Sequence, residues 1–311
     1  MSNTELVIGF IGTGIMGAPM SGHLAQAGYR VLLHDRDPAK ARTASAAAGP
    51  NAHVATSLHD LAREADIMVT MLPDGTAVQS VVLGPEGVAS HMRPGTLLLD
   101  CSSAQPWLTE ETAQALQARG VAMVDAPVSG AAWGAAAAEL VFMVGGEADA
   151  VQRVRPLLER MGRAVHHLGP LGSGHAMKCL NNCVTSMTFL ATTEALVAGK
   201  RYGLDPAAMV DVLNESTGGS WITRTHYHQR VFNRSFDDPF KLELMLKDIG
   251  IAVDLAGRCE SPMALSALGH ELWRMANHSA GTGASVSELV RWVESLSGTA
   301  LTPGSSPRAR T

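Results

Sequence analysis

Short aliphatic runs alternate with alanine-rich amphipathic stretches through the first half of the chain. Leu6–Ile11, Arg30–His34, Ile67–Leu72, Thr96–Asp100, Val121–Asp125 and Glu139–Val144 each read as a buried strand. They are too short for helices and too uniformly apolar for a sheet with one face in water. Segments such as Ser21–Ala27 and Thr109–Arg119 read as helices between them. Alternation of this kind implies crossover units, hence an α/β fold with a doubly wound parallel sheet covered on both faces. A last strand at Ala164–Leu168 closes that layer.

After Gly169 the pattern changes. Gly169-Pro-Leu-Gly-Ser-Gly174 punctuates the chain, and a proline-free helical pattern then runs from His175 to about Tyr202. It is apolar nearly all round (Met177, Leu180, Val184, Met187, Leu190, Leu196), which predicts burial over most of its surface. Further helices are predicted at Pro206–Ser216, Lys241–Arg258, Met263–Asn277 and Val286–Ser295. The organisation expected is an α/β domain over residues 1–170, an all-α C-terminal domain over 171–298, and a loose tail over 299–311.

A chain of 311 residues can bury two such cores. Its formal net charge of −5, spread without long blocks of one sign, offers nucleic acid no electrostatic footprint. No apolar run reaches the roughly 18–20 residues of a membrane span. The first apolar run, Leu6–Ile11, is too short for a secretory signal. Four cysteines make no disulfide framework at this length, so a cytoplasmic protein with neither nucleic acid nor membrane as partner is expected.

Gly12-Thr-Gly14-Ile15-Met16-Gly17 follows the first predicted strand and opens a predicted helix. In that setting G-x-G-x-x-G holds a dinucleotide in a Rossmann-type domain. Gly12 permits the tight turn, Gly14 lets a pyrophosphate approach the backbone, and Gly17 lets the helix pack on the strand. The helix N-terminus presents N–H groups and a positive dipole end to the phosphates, with Ile15 and Met16 beside them. Asp35, at the end of the second strand, can accept hydrogen bonds from a ribose diol and repels a 2′-phosphate. That favours NAD. Arg36 next door can bind a 2′-phosphate if Asp35 turns away, so NADP stays open.

Three further segments are polar or glycine-rich at predicted strand ends: Met71-Leu-Pro-Asp-Gly75, Asp100-Cys-Ser-Ser-Ala-Gln-Pro106 and Asp125-Ala-Pro-Val-Ser-Gly130. In an open parallel sheet the carboxyl ends of the strands line the ligand crevice. Together with Gly9-Phe-Ile-Gly-Thr-Gly-Ile-Met-Gly17, Gly172-Ser-Gly-His-Ala-Met-Lys-Cys-Leu-Asn-Asn182 and Lys247-Asp248, they stand in the order of one family. The chain resembles the β-hydroxyacid dehydrogenases, which include 3-hydroxyisobutyrate dehydrogenases and tartronate semialdehyde reductases. The resemblance runs from Leu6 to about Ala256 and more weakly to about Leu296.

That resemblance implies reversible hydride transfer between NAD(P) and the hydroxyl carbon of a small 3-hydroxy acid. It implies that Ser129 and Gly130 bind the substrate carboxylate, that Lys178 is the catalytic residue, and that Asn182 orients the substrate. It further implies that Leu72, Pro73 and Ser103 contact the nicotinamide half and that Lys247 closes over the cofactor from the helical domain. The substrate would lie between the two domains. An apolar helical half points to a homodimer or homotetramer.

A lysine suits that chemistry. Oxidising a hydroxyl leaves a proton to remove, and the reverse reaction must supply one; a lysine serves both when its pKa falls toward neutrality. Its cationic form can also polarise a carbonyl as charge develops on oxygen. Lys178 and Asn182 are four apart and share one helix face. Lys247 has a plainer reading as an ordinary helix pair with Glu243.

The chain also departs from the family pattern. Where the family continues after Ser-Gly with glycine and then Gly-Ala-x-x-Gly-Thr-Leu, this chain has Ala131 and Gly134-Ala-Ala-Ala-Ala138-Glu139-Leu140. Each alanine adds a methyl that takes space or restricts φ, so the size limits of relatives' substrates do not transfer. His226 with His228, His166 with His167, and Cys179 with Cys183 lack further ligands at recognisable spacing, so no metal site is expected. His175, three residues before Lys178, is a candidate neighbour of the site.

Three alternatives stand beside this reading. Decarboxylating phosphogluconate dehydrogenases are longer and carry Lys-x-x-His-Asn, where this chain has Asn181 in the histidine place. NADPH-dependent imine or semialdehyde reductases share the glycine turn, but imine reductases usually lack the lysine and carry Asn-Arg after the second strand. A non-catalytic dinucleotide-binding module would have no use for Lys178.

Overall fold

The computed structural model describes residues 6–304. The chain divides into two compact units, Met1–Lys178 and Cys179–Thr311.

The first unit is built on nine strands: β1 (Val7–Ile11), β2 (Arg30–His34), β3 (Ala52–Val54), β4 (Ile67–Thr70), β5 (Leu97–Asp100), β6 (Ala122–Asp125), β7 (Val128–Ser129), β8 (Leu140–Gly145) and β9 (Gly162–Gly169). Between them run α1 (Gly17–Gln26), α2 (Pro38–Ala48), α3 (Leu58–Glu64), α4 (Gly75–Leu83), α5 (Pro106–Gln117), α6 (Ala131–Ala136) and α7 (Ala148–Met161). The strand order is β3-β2-β1-β4-β5-β6-β8-β7, with β9 beside β8. Alternate residues along the central strands feed two separate cores. Ile8, Phe10, Val31, Leu33 and Val69 pack with Met20, Leu24, Val154 and Leu158. Ile11, Leu32, Met68 and Leu98 pack with Leu61, Val78, Val82 and Leu116. Burial on both faces is why these strands read as continuous apolar runs.

Strands β3 through β6 are parallel throughout. The expected parallel sheet is thus present, with an antiparallel addition at one edge: β8 runs antiparallel to both β6 and β7. Strand β7 follows almost directly on β6, and the short α6 then turns the chain back, so β8 returns in the opposite sense. Apolarity marks a buried strand without giving its direction. β3 escapes sequence detection because only Ala52 of its three residues is buried.

Register places Ile11, Thr70, Asp100 and Asp125 in one row across β1, β4, β5 and β6. Every motif loop of the first unit therefore leaves the sheet from a common line, at the carboxyl ends where α/β folds place ligands.

The last element of the first unit is the start of α8 (Ser173–Tyr202), which continues into the second unit. There α9 (Pro206–Glu215), α10 (Trp221–Thr225), α11 (Leu242–Arg258), α12 (Ala264–Ala280) and α13 (Glu288–Ser297) follow. Their starts follow from local chemistry. Asp205 caps α9 ahead of Pro206, and Ser220 with Thr223 forms a capping box on α10. The expected burial of α8 on most of its surface holds only in part. Met177, Leu180 and Val184 are exposed, Val184 at 68%.

Residues 299–304 do not behave as the loose tail expected. Leu301 is fully buried and its N–H donates to Glu294 Oε1 at 2.6 Å. Lys200 Nζ donates to the carbonyls of Thr302 and Gly304, and the Gly304 N–H donates to Asp205 Oδ1 at 2.8 Å. A single apolar anchor and these hydrogen bonds, with the Thr299 N–H donating to Glu294 O at 3.1 Å, hold this stretch, a pattern that its composition conceals. The remainder of that predicted tail, 305–311, lies outside the described residues.

Candidate active site

The glycine turn takes the form its spacing predicts. Gly12 sits at φ +97°, where a side chain is strained and a Cβ would meet Met71 O at 2.3 Å. A Cβ on Gly17 would lie 1.9 Å from Gly12 O, so the helix can close on the turn only with glycine there. Beside Gly14 the space is open, with nothing within 4 Å of a built Cβ. Ile15 is 64% exposed, and no side chain caps α1 at Met16. An open cradle at an uncapped helix N-terminus fits a pyrophosphate.

Asp35 is half-buried and already engaged. Its Oδ2 accepts the Thr13 N–H at 2.8 Å and the Thr13 hydroxyl at 3.2 Å, while Oδ1 accepts the Asp37 N–H at 2.9 Å. Burial pushes this carboxyl up, but those donors and Lys40 outweigh it and hold it below its ordinary range. Asp35 thus ties the end of the second strand to the glycine turn, a role that the motif does not announce. Carboxylate oxygens retain lone pairs for a further donor. Arg36 is exposed.

The nicotinamide-side candidates sit on linked loops. Leu72 N–H donates to Ser102 Oγ at 3.0 Å, and Asp100 Oδ1 accepts both the Thr70 hydroxyl at 2.9 Å and the Ser102 N–H at 3.0 Å. Asp100 and Ser102 are fully buried and organise this corner, whereas Leu72 and Ser103 are half-buried and Pro73 is exposed. Ser129 and Gly130 are half-buried at the end of β7, with Gly130 at φ +133°. Ala131 and Ala138, standing where the family pattern has glycine, keep left-handed φ of +54° and +56°. Trp133 between them is 55% exposed.

Lys178 is half-buried in the second turn of α8. Asp125 holds the first turn, accepting the Gly172 N–H on Oδ1 and the His175 N–H on Oδ2, each at 2.8 Å. The crowding is severe: a Cβ on Gly174 would meet Met143 O at 2.2 Å and Asp125 Oδ2 at 2.8 Å.

In the second unit, Asn182 Nδ2 donates to Asp248 Oδ2 at 2.6 Å, and Lys247 Nζ lies 3.2 Å from Asp248 Oδ1. The Glu243 carboxylate, the helix neighbour of Lys247, accepts the Gly283 N–H at 3.3 Å. Asp248, buried and joining two candidate residues, was visible in the sequence only as part of a motif. Its partnership with Asn182 spans 66 residues.

Three of the histidines weighed as metal ligands have ordinary partners. His226 pairs with Asp238 and His228 with Asp211, both at 3.0 Å, and His167 Nε2 lies 2.8 Å from Gly146 O. Burial pushes the Cys101 thiol well up; burial and then Asp248 push Cys179 up to about 12. Such thiols are poor metal ligands. Among the described residues no group of three or more His, Cys, Asp or Glu side chains could hold a metal ion.

Residues 7–169 match the family described as the NAD binding domain of 6-phosphogluconate dehydrogenase. Residues 172–293 match the NAD-binding family of NADP-dependent 3-hydroxyisobutyrate dehydrogenase. The NAD-dependent L-serine dehydrogenase of Pseudomonas aeruginosa is 37% identical over 274 residues, 86% of this chain and 91% of that protein. The 3-hydroxyisobutyrate dehydrogenase of the same organism is 35% identical over 91% of this chain and 98% of its own length. The solved structure of Mycobacterium tuberculosis 3-hydroxyisobutyrate dehydrogenase with L-serine superposes with a TM-score of 0.83 at 33% identity. That match covers 93% of this chain and 99% of the other.

Proposed function

Because the chain belongs to the β-hydroxyacid dehydrogenase family, we propose that Lys178 moves the proton while Ser129, Gly130 and Asn182 hold the acid. The protein is a nicotinamide-dependent oxidoreductase of hydroxy acids. When bound, the nicotinamide ring supplies the acceptor for the hydrogen leaving the hydroxyl carbon with its electron pair. Gly12, Gly14, Ile15, Met16 and Gly17 would hold the pyrophosphate and Asp35 the ribose diol, with Arg36 at the rim. Leu72, Pro73 and Ser103 would flank the nicotinamide, and Lys247 would close from the helical unit.

The chain's own residues then do three things. The Lys178 amine takes the hydroxyl proton in oxidation and returns it, as an ammonium, in reduction. Ser129 Oγ donates to the acid's carboxylate, beside a glycine whose missing side chain leaves room. The Asn182 amide is held in one orientation, because only its nitrogen can donate to Asp248. The carrying observation is Lys178 itself: half-buried, and set one turn beyond the start of α8 that Asp125 clamps to the sheet.

The engaged Asp35 carboxylate supports NAD over NADP, because a 2′-phosphate beside it meets like charge. The relatives' names point to 3-hydroxyisobutyrate or L-serine as the substrate type; both place a hydroxyl on the third carbon of a short acid. Exposed Leu180 and Val184 on α8, with Leu265 and Leu268 on α12, support a homodimer or homotetramer. No described helix is long and apolar enough to cross a membrane, and the four free cysteines suit the cytoplasm.

The test is a panel of 3-hydroxy acids, including L-serine and 3-hydroxyisobutyrate, assayed with NAD and NADP by nicotinamide absorbance. Lys178→Ala should lower kcat by about 10²–10⁴ while NADH binding stays within about twofold. Turnover unchanged by Lys178→Ala on every accepted substrate would remove the lysine from the reaction.

A further inference from the structure

We propose that His175 is a positioning residue for Lys178, linking the nicotinamide-side loops to the turn of α8 that precedes the lysine. The inference rests on the proton-transfer role of Lys178 proposed above. His175 is fully buried in the first unit. Its backbone N–H is one of the two donors that Asp125 receives from the start of α8. Its ring Nδ1 lies 2.7 Å from Thr109 Oγ1 on α5. Its Nε2 faces Asp100 Oδ2 at 3.7 Å.

Those last two atoms are both buried, and neither has a hydrogen-bond partner among the described residues. One can carry a proton and the other can only accept one. Closing the gap by less than about an ångström makes a hydrogen bond and satisfies both, whereas leaving them apart is costly in an apolar interior. With Nε2 donating to Asp100, Nδ1 can accept the Thr109 hydroxyl proton. The other Asp100 oxygen holds Thr70 and Ser102, and Ser102 Oγ holds the Leu72 N–H. With that bond made, a continuous polar path runs from Leu72 through Ser102 and Asp100 to the His175 ring. From its backbone the path continues to Asp125 and the first turn of α8. Lys178 stands three residues further on, about one turn along the helix.

A buried histidine could merely fill space, and a leucine of similar bulk would do that more cheaply. What the ring adds is direction. It links the turn before Lys178 to Asp100 at the end of β5, from which a cofactor-side loop also springs, while the backbone N–H at 175 holds Asp125 at the end of β6. Proton transfer depends on the donor–acceptor geometry to a fraction of an ångström, so a device that references the lysine to that loop acts on the chemical step.

The test compares His175→Leu, His175→Gln and Thr109→Val with the unaltered enzyme, using NAD with L-serine or 3-hydroxyisobutyrate, whichever turns over faster. His175→Leu should lower kcat about tenfold, with the KM for NAD and NADH binding within about twofold. The primary deuterium isotope effect, measured with substrate labelled at the oxidised carbon, should rise. His175→Gln, whose amide can reach Asp100, should recover to within about threefold of the unaltered kcat. A His175→Leu enzyme with lowered urea stability but unchanged kcat and isotope effect overturns the proposal. If that variant does not fold, Thr109→Val carries the test: about a threefold loss in kcat with a raised isotope effect is expected, and an unchanged kcat overturns it. Lys178→Ala separates the two claims. Full turnover in that variant removes the premise, whereas its loss beside a fully active His175→Leu removes only the positioning role.

Discussion

The Asn182 side-chain amide donates to the Asp248 carboxylate across 2.6 Å, with both residues buried and Lys247 on the carboxylate's other oxygen. One acid therefore orients the amide proposed to hold the substrate and tethers the lysine proposed to close over the cofactor. Asp248→Ala removes both restraints and strands a buried amide, which costs about 1–3 kcal/mol. Expected are a drop in urea-unfolding free energy of that size and a fall in kcat/KM of about tenfold or more. Wild-type kcat/KM at reduced stability would confine Asp248 to a structural role.

Ala131 and Ala138 occupy left-handed backbone that glycine adopts without strain. The steric cost for alanine there is about 1–2 kcal/mol, partly offset by the greater freedom glycine has when unfolded. Ala131→Gly and Ala138→Gly should each stabilise the protein by roughly 0.5–1 kcal/mol, read from the thermal midpoint. Because the segment between them adjoins Ser129 and Gly130, a change in preference among short 3-hydroxy acids should accompany the gain. Destabilisation by both would show that the methyls pack usefully.

Asp35 carries two predictions of opposite kinds. Asp35→Ser removes the charge facing a 2′-phosphate and should raise kcat/KM for NADP relative to NAD by about tenfold or more. Asp35 and Asp238 are both held below the ordinary carboxylate range. At each, burial pushes the carboxyl up but is outweighed by donors: Asp37 and Thr13 at Asp35, His226, Phe240 and Arg230 at Asp238. The unfolded chain therefore binds these protons more readily than the folded one. Their stabilisation is complete above roughly pH 4–5 and fades as pH falls through the ordinary value and then the depressed one. Urea midpoints should decline across that window, and less steeply in Asp35→Ser.

Leu301 buries its whole side chain beyond the last helix, and Glu294 receives its N–H. Leu301→Ala should cost about 2–4 kcal/mol, the range for removing a buried leucine. Cleavage after Gly298 should cost at least as much, since it also removes the carbonyls that hold Lys200. Unchanged melting of both variants would mean that this segment contributes no packing energy.

Much of the site was legible because its chemistry is local. The turn Gly12–Gly17 needs missing side chains at particular positions, and backbone sterics decide that within six residues. Lys178 and Asn182 are singled out by resemblance to the family motif, and their four-residue spacing puts them on one helix face. The acids behind them are less legible, because their partners lie far along the chain: Asp248 reaches Asn182 across 66 residues and Asp125 reaches His175 across 50. His175, three residues before Lys178, has a fully buried side chain, set against Thr109 and Asp100, which its sequence position does not announce.

By itself, then, the order of residues determined where most strands and helices form and which turn can cradle a pyrophosphate, whereas the lysine is singled out by resemblance to the family motif. Periodicity and backbone freedom act over a few residues, and the first two properties follow from them. Only the tertiary structure decided that β8 runs against its neighbours, that 299–304 is anchored, and that Asp100, Asp125 and His175 share one buried cluster. Strand direction, burial of a lone leucine and pairing of distant carboxylates depend on which surfaces meet, and only packing specifies that.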